Sequence, residues 1–175
     1  MASKSKYAII NAYLKLIETE EYEKITVTSL VEECNISRQT FYYHFDGIDE
    51  MIAFAFKTET EKICGTQDGA NWIDSAKHYI DFLNTYDTFL RKAILSKDFI
   101  NIYHLLYNSF YQYITSYIEK KSKKEFQINE ETRFLLSCTA YAFCGLVIAE
   151  LQKENTDYQE VLNKIAVGFN ITPKQ

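Results

Sequence analysis

The chain has 175 residues, of which 47% are apolar, and its formal net charge is −5. This length supports one compact domain, or a small domain that shares a helix with a larger one, and a single proline with five glycines argues against hairpin-rich β structure. The acidic balance excludes a uniformly basic nucleic-acid-binding protein, since residues 1–50 carry five Lys/Arg and nine Asp/Glu. We therefore predict an all-α protein with about nine helices in total.

The four cysteines form no CxxC pair and stand in apolar helical contexts. We expect reduced thiols that pack as small apolar side chains, and no thiol sensor, because no cysteine has an obvious basic neighbour. No signal peptide is recognisable, and the longest apolar run, at 138–151, contains Glu150 and is too short for a membrane span. The sequence therefore predicts a cytoplasmic protein with no membrane partner.

The first predicted helix covers residues 4–19. Lys4 and Lys6 stand at its start, either near a phosphate backbone or as part of a solvated terminus. Its apolar residues recur at helical spacing and are expected to cover the back of the next two helices. These residues are Ile9, Ala12, Tyr13, Leu16 and Ile17.

Residues 25–51 predict two short helices joined by a tight turn, followed by the start of another helix. Thr26 is placed to cap the first short helix. Asn35 tolerates a left-handed backbone and can end that helix, and Ser37 is a good cap for the second, over residues 38–44. This arrangement is typical of a helix-turn-helix.

The second short helix buries Phe41 and Phe45, which are four residues apart, and leaves a polar and aromatic set exposed. Arg can fork onto guanine, Gln can pair with adenine and a Thr methyl can touch thymine, while Tyr and His can donate to phosphates. A helix-turn-helix presents the first residues of its second helix to the bases, and this order is found here. We assign Arg38, Gln39 and Thr40 to bases and Tyr42, Tyr43 and His44 to phosphates. The alternative is an ordinary αα-corner with a polar surface.

Residues 5–60 also resemble the TetR family of transcriptional regulators, whose recognition helix reads roughly S-R-x-T-(F/L)-Y-x-(H/Y)-F. The matching residues are Ser37, Arg38, Thr40, Phe41, Tyr42, His44 and Phe45. The resemblance implies a three-helix DNA-binding head at residues 1–47 and a helical effector-binding and dimerisation body at 48–175. It also implies further phosphate contacts, which we assign to Lys24, Thr26 and Thr28.

Two positions depart from the family pattern. Asn35 stands where the family commonly has Gly, which the conformational argument above makes harmless. Ile48 stands where the family commonly has a phosphate-binding Lys, so one expected contact is missing. The lost Lys and the FYYHF run resemble the small members related to activators of dihydroxyacetone kinase operons.

The body is predicted to contain helices at about 48–64, 72–84, 86–95 and 99–120, with the clearest break at 65–69. The helix at 99–120 is rich in aromatic residues. One interpretation is a packed aromatic core, and the other is a ligand cavity with phenol and imidazole groups that orient a small molecule. The candidate ligand-binding residues are Tyr103, His104, Tyr107, Phe110 and Tyr111.

The last two predicted helices cover about 129–153 and 157–169. Small residues recur along the first of them at spacings of four, three and four, which lets another helix approach closely; they are Cys138, Ala142, Gly145 and Ala149. In the TetR family this pair of helices forms the dimer interface. Packing within one chain is the alternative.

The sequence suggests two regulatory functions and disfavours a third, enzymatic one. The first is a homodimeric, ligand-responsive regulator that binds a near-palindromic double-stranded DNA operator. The second is a helix-turn-helix co-activator controlled by a protein partner, which the acidic head and the missing Lys favour. An enzyme is disfavoured, because the three histidines show no metal-ligand spacing and no phosphate loop or nucleophile motif is present. No cofactor and no metal are expected.

Overall fold

The computed structural model describes residues 2–66, 72–122 and 128–168. Within these ranges the chain forms nine α-helices, one short 3-10 helix at Tyr22–Lys24 and no strand, which confirms the predicted fold class. The helices are α1 (Ala2–Thr19), α2 (Val27–Cys34), α3 (Arg38–His44), α4 (Ile48–Gly65), α5 (Trp72–Thr85), α6 (Asp87–Ala93), α7 (Phe99–Lys121), α8 (Glu130–Leu151) and α9 (Tyr158–Gly168). Helix α4 ends at Gly65, the first residue of the predicted break at 65–69, and residues 67–69 of that break lie outside the described part.

Helices α1–α3 form the head, with α1 packed against α2, α3 and α4. The predicted apolar stripe of α1 faces inward, since Ile9, Tyr13 and Ile17 are all buried. Leu30 of α2 and Phe41 of α3 are fully buried beneath it. Apolar burial therefore holds the helix-turn-helix against a single long helix, as the periodicity predicted.

The turn between α2 and α3 depends on Asn35, which adopts a left-handed conformation with φ 52° and ψ 48°. Its backbone N–H donates to the carbonyl of Glu32 at 3.1 Å, and the N–H of Ile36 donates to Val31 at 3.0 Å. These bonds satisfy carbonyls that the end of a helix otherwise leaves unpaired. The prediction that Asn35 ends α2 is confirmed.

Helix α7 lies at the centre of the body, with α4 and α8 packed against it, while α9 packs on α8 and α5. The rings of Phe110 and Phe143 stack with centroids 3.7 Å apart. The buried phenol of Tyr79 hydrogen-bonds the hydroxyl of Ser109 at 3.0 Å, and Ser109 in turn bonds Thr60 at 2.7 Å. Small hydroxyl side chains therefore satisfy polar groups within this aromatic core.

Side chains on one face of α6 hydrogen-bond the end of α1 and so attach the body to the head. Lys92 donates from Nζ to the carbonyls of Ile17 at 2.6 Å and Glu20 at 2.9 Å, at the end of α1. One turn earlier, the Thr88 hydroxyl donates to the Glu18 carboxylate at 3.2 Å. A lysine at this position neutralises the negative end of the α1 dipole and satisfies carbonyls that have no helical partner.

Side chains on the neighbouring face of α6 hydrogen-bond the segment that connects α8 and α9. Arg91 donates to Asp87 at 2.7 Å and to the carbonyls of Leu151 and Lys153 at 2.8 and 2.6 Å. Asp87 also accepts the Tyr158 hydroxyl at 2.6 Å. Burial raises the pKa of Asp87, but hydrogen bonds from Tyr158, Arg91 and Thr156 outweigh burial and keep that pKa below its ordinary value of 3.8.

Helix α8 is mostly apolar between the charged residues near its two ends. By length and composition it is the one described helix that could cross a membrane, but it is also a core helix, and a single helix of this kind is weak evidence for a span. Its buried side, which includes Ala140, Phe143 and Val147, packs toward α7 and α9. Its other side, which includes Phe134 and Tyr141, is exposed in the single chain.

Replacing Asn35 tests the turn. We expect Asn35→Ala to lower the free energy of unfolding by about 1 kcal/mol, because an L side chain with a Cβ and no local hydrogen-bonding group is disfavoured at this φ. Asn35→Gly should change it by less than about 0.5 kcal/mol. Urea denaturation measures both, with Asn84→Ala on the exposed face of α5 as a control. Equal stability of the Ala and Gly variants at position 35 would contradict the assignment.

Replacing Asp87 tests the α6 network. We expect Asp87→Asn to cost about 1–3 kcal/mol at pH 7, because an amide offers one acceptor oxygen where the carboxylate offers two. The lowered pKa means that the carboxylate stabilises the fold above about pH 4 and that this contribution is lost as pH falls through the folded-state value. The deficit of the variant should therefore shrink in urea denaturation near pH 3. A deficit that is the same at both pH values would count against the network.

Candidate nucleic-acid interface

The first turn of α3 is held by its own cap. The side chain of Ser37 accepts the backbone N–H of Thr40 at 3.0 Å, which confirms the predicted N-cap. Thr26 and Ser29 form a reciprocal capping box at the start of α2, with bonds of 3.0 and 3.2 Å. Both helices of the motif therefore begin at defined residues, which sets the direction of the side chains that follow.

Two predicted DNA-binding residues contact each other. Arg38, at the start of α3, donates from Nη2 to the Thr28 hydroxyl of α2 at 2.6 Å. A guanidinium has five N–H donors, so this bond orients the group and leaves the other donors available. Gln39 is exposed beside Arg38. The Thr40 hydroxyl bonds Ser37 at 2.9 Å, and its methyl group is the part left for an apolar contact.

The second half of α3 presents aromatic side chains. Tyr42 and Tyr43 are 55% and 79% exposed. Exposure this high is unusual for large aromatic side chains. His44 is half-buried, with its ring edge-on to Tyr43 at 5.0 Å. Phe41 of the same helix is fully buried and holds α3 against the rest of the head. Tyr42, Tyr43 and His44 therefore project from a helix that is fixed in position.

Lysines of the head are largely engaged within the chain. Lys24 pairs with Glu21 at 3.1 Å on the surface, and Lys15 pairs with Glu33. Lys6 lies over the rings of Phe54 and Phe45, at 4.2 and 4.9 Å from their centroids, and so covers the aromatic side of the head. The side chain of Lys4 lies outside the described residues.

Ile48 is half-buried and packs against the core. The first turn of α4 instead carries the acidic residues Asp49 and Glu50, and Glu50 accepts the backbone N–H of Asp46. The Ile48 side chain therefore packs against the core, and the first turn of α4 carries acidic side chains where the family commonly has a phosphate-binding Lys.

The predicted ligand-binding residues do not share one environment. Phe110 is fully buried against Phe143, and His104 is exposed on the side of α7 that faces α4. Tyr103, Tyr107 and Tyr111 are half-buried at the edge of the core. Tyr107 lies between two other rings, Tyr111 with centroids 6.0 Å away and the exposed Tyr141 at 4.6 Å.

Sequence reasoning did not identify the contacts made by α6. The i,i+4 spacing of Asp87 and Arg91 was a visible sign of a helical ion pair, but the carbonyls that Arg91 and Lys92 bind are distant in sequence. The described residues contain no cluster of three or more side chains suited to a metal ion.

Two family models match the chain. One, described as bacterial regulatory proteins of the tetR family, matches residues 9–53, and the other, described as a transcriptional regulator C-terminal region, matches residues 70–168. A curated relative, the HTH-type dhaKLM operon transcriptional activator DhaS of Lactococcus lactis subsp. lactis (strain IL1403), is 22% identical over 168 residues. That alignment covers 93% of this chain and 89% of the relative.

Solved structures show the same fold. A dihydroxyacetone kinase operon activator DhaS has a TM-score of 0.74 at 19% identity, covering 97% of this chain and 98% of that one. A TetR transcriptional regulator from Streptococcus agalactiae 2603V has a TM-score of 0.64 at 17% identity, covering 96% and 94%. With both family models matched and the helix-turn-helix inside the first, the chain belongs to the tetR family of bacterial regulatory proteins and is a DNA-binding transcriptional regulator rather than an enzyme.

Proposed function

We propose that this regulator recognises its operator with the first turn of α3 in the major groove. The observation that carries the proposal is the bond between Arg38 and Thr28, which holds a guanidinium at the exposed start of a capped helix. Arg38 is suited to guanine and Gln39 to adenine, and the Thr40 methyl group is suited to thymine. A side chain held in place before binding loses less entropy when it contacts a base.

The phosphate contacts are proposed for residues that flank this turn. They are Lys24, Thr26, Thr28, Tyr42, Tyr43 and His44. Lys24 is the one Lys or Arg among them, and the described lysines of the head are paired with acids or lie over rings. Few counterions would be released on binding, so the affinity should fall less steeply with salt than that of a basic repressor.

We also propose that the regulator is a homodimer formed through α8 and α9. The exposed side of α8 carries Phe134, Leu135 and Tyr141 beside the exposed Gly145 and Ala149. Large exposed apolar residues next to small ones suit a closely approaching helix, and a second copy of α8 supplies a matching surface. A two-fold dimer would read half-sites about 34 Å apart.

Control by a small molecule in the cytoplasm is the third part of the proposal. The candidate residues remain Tyr103, His104, Tyr107, Phe110 and Tyr111, of which the tyrosines offer half-exposed rings for stacking. Helix α6 offers a route to the head, since it binds both α1 and the α8–α9 connection. An effector acts only through its difference in affinity for two arrangements of these parts.

Control by a protein partner is a second candidate. Leu95, in the turn after α6, and Ile100, in the first turn of α7, are large apolar side chains that are 86% and 58% exposed. Two of the three relatives named above, both called DhaS, are described as operon activators, so we propose activation as the sign of regulation. A stable homodimer that binds its operator and responds to a small molecule without a partner would count against this candidate.

Replacing Arg38 tests the recognition surface. We expect Arg38→Ala to weaken binding to the upstream region of its own operon by about 1–3 kcal/mol, because a bidentate base contact is lost. Thr28→Val, which removes the orienting hydroxyl, should give a smaller loss in the same direction. Fluorescence anisotropy at one fixed salt concentration measures both, with a scrambled duplex for non-specific binding. Lys57→Ala on α4 removes the same charge elsewhere, and equal losses in Arg38→Ala and Lys57→Ala would refute the assignment.

Replacing Gly145 tests the dimer. A Cβ at Gly145 would meet nothing within 4 Å in the single chain, so Gly145→Trp should leave the protomer folded. We expect the bulky ring to prevent close approach of a second α8 and to yield a monomer by size-exclusion chromatography with light scattering. Glu61→Trp, on the exposed face of α4, should stay dimeric. A Gly145→Trp chain with unchanged mass and dissociation would exclude this face as the interface.

A further inference from the structure

The junction between the head and the body contains two adjoining grooves. Their volumes are about 250 and 160 Å³, and both are lined by Tyr22, Asp49 and Asp98. Tyr22 comes from the 3-10 helix after α1, Asp49 from the first turn of α4, and Asp98 from the residue before α7. Any molecule held between these residues would contact both parts of the protein at once.

The shared part of the grooves is acidic. Glu23 lines the smaller groove together with Asp49 and Asp98. None of these three carboxylate groups has an ion-pair or side-chain hydrogen-bond partner among the described residues. Lys97 also lines the smaller groove, but its ammonium forms no ion pair in the described part of the chain. The grooves thus carry an excess of negative charge that the protein does not neutralise by contact.

A tyrosine whose ring is buried and whose hydroxyl is unpartnered at the groove adds a second, independent observation. Tyr13 of α1 is 3% exposed and lines the smaller groove, and its hydroxyl has no hydrogen-bond partner among the described residues. Burial, followed by the nearby Tyr22, Asp49 and Asp98, raises the pKa of Tyr13. Burial, followed by Asp98, Asp49 and Glu23, raises the pKa of Tyr22 to about 12. Both phenols are therefore neutral at physiological pH and offer oxygen acceptors within the negative field.

Beyond the carboxylates the wall of the larger groove is mostly apolar, with the polar side chains of Asn101 and His104 on its α7 side. Ile52 and Ala53 of α4 face Leu105 of α7 across it. A ligand that suits the whole site has one positive end with N–H donors and a short hydrocarbon chain. A metal ion suits it less, because the described residues offer no cluster of three or more ligating side chains and much of the wall is hydrocarbon.

We propose that this junction binds a protonated primary alkylamine. The ammonium group lies between the carboxylates of Asp49 and Asp98 and donates to the Tyr13 phenol, and the alkyl chain packs along the apolar wall. Binding draws α4 and the start of α7 toward the same charge, which biases the position of the head. That consequence rests on the proposed DNA-binding function, whereas the binding itself does not.

Calorimetric titration with n-butylammonium chloride tests the site, with sodium chloride keeping the ionic strength constant. We expect one saturable site per chain and no binding of n-butanol, which has the same chain without the charge. The double variant Asp49→Asn/Asp98→Asn should bind at least about tenfold more weakly, because both charge partners are lost. Glu119→Gln, an exposed acid elsewhere on α7, is the matched control. Equal binding to wild type and the double variant, or no saturable binding to wild type, overturns the proposal.

Two further variants have expected effects that a folding defect would not produce. Tyr13→Phe should weaken n-butylammonium several-fold but leave tetramethylammonium unchanged, because only the former has N–H donors for the phenol. Lys97→Met should tighten binding, because it removes a competing cation from the groove. If Lys97→Met instead weakens binding or Tyr13→Phe affects both probes equally, the proposed geometry is wrong. Anisotropy with operator DNA on the same samples separates failure of the amine site from failure of DNA binding.

Discussion

The contacts of α6 are the constraint on which the rest of the structure depends. Consecutive residues of this short helix serve different parts of the protein: Arg91 binds the carbonyls after α8, and Lys92 binds the carbonyls at the end of α1. Each hydrogen bond contributes only about 1 kcal/mol, but the carbonyls of Leu151 and Ile17 are partly shielded from water, so the loss of their donors costs more than the loss of an exposed bond. The head therefore cannot turn relative to the last two helices without breaking bonds on one face of α6 or moving α6 itself.

The contacts of α6 also bear on how DNA binding by an acidic head is regulated. The lysines of the head whose side chains the structure describes are paired or lie over rings, so we propose that binding to DNA depends on a small oriented set led by Arg38 rather than on a broad positive field. Specific contacts of this kind are sensitive to the angle at which α3 is presented. A displacement that α6 or the acidic junction transmits to α1 would alter that angle, and a modest change in free energy there would then change operator occupancy.

Close packing also explains why the aromatic body does not need a large central cavity to hold its tyrosines. Tyr79 and Tyr113 are buried, and their hydroxyls bond the side chains of Ser109 and Ser75. Small polar residues between large rings satisfy the phenols and fill space that would otherwise be empty. On α7 the buried face runs through Ile102, Leu106 and Phe110. Tyr103, Tyr107 and Tyr111 flank this face and are half-buried.

The sequence by itself determined the local features. Helical periodicity, the caps at Thr26 and Ser37 and the left-handed Asn35 were predictable because each depends on residues within one or two turns of the chain. The tertiary structure alone decided which groups from distant elements meet. It brought Arg38 to Thr28 and Lys92 to the end of α1, and it placed Asp49 and Asp98 in the lining of one groove at the junction. These contacts depend on the packing angles of whole helices, which the volumes of many buried side chains set together and which no local pattern encodes.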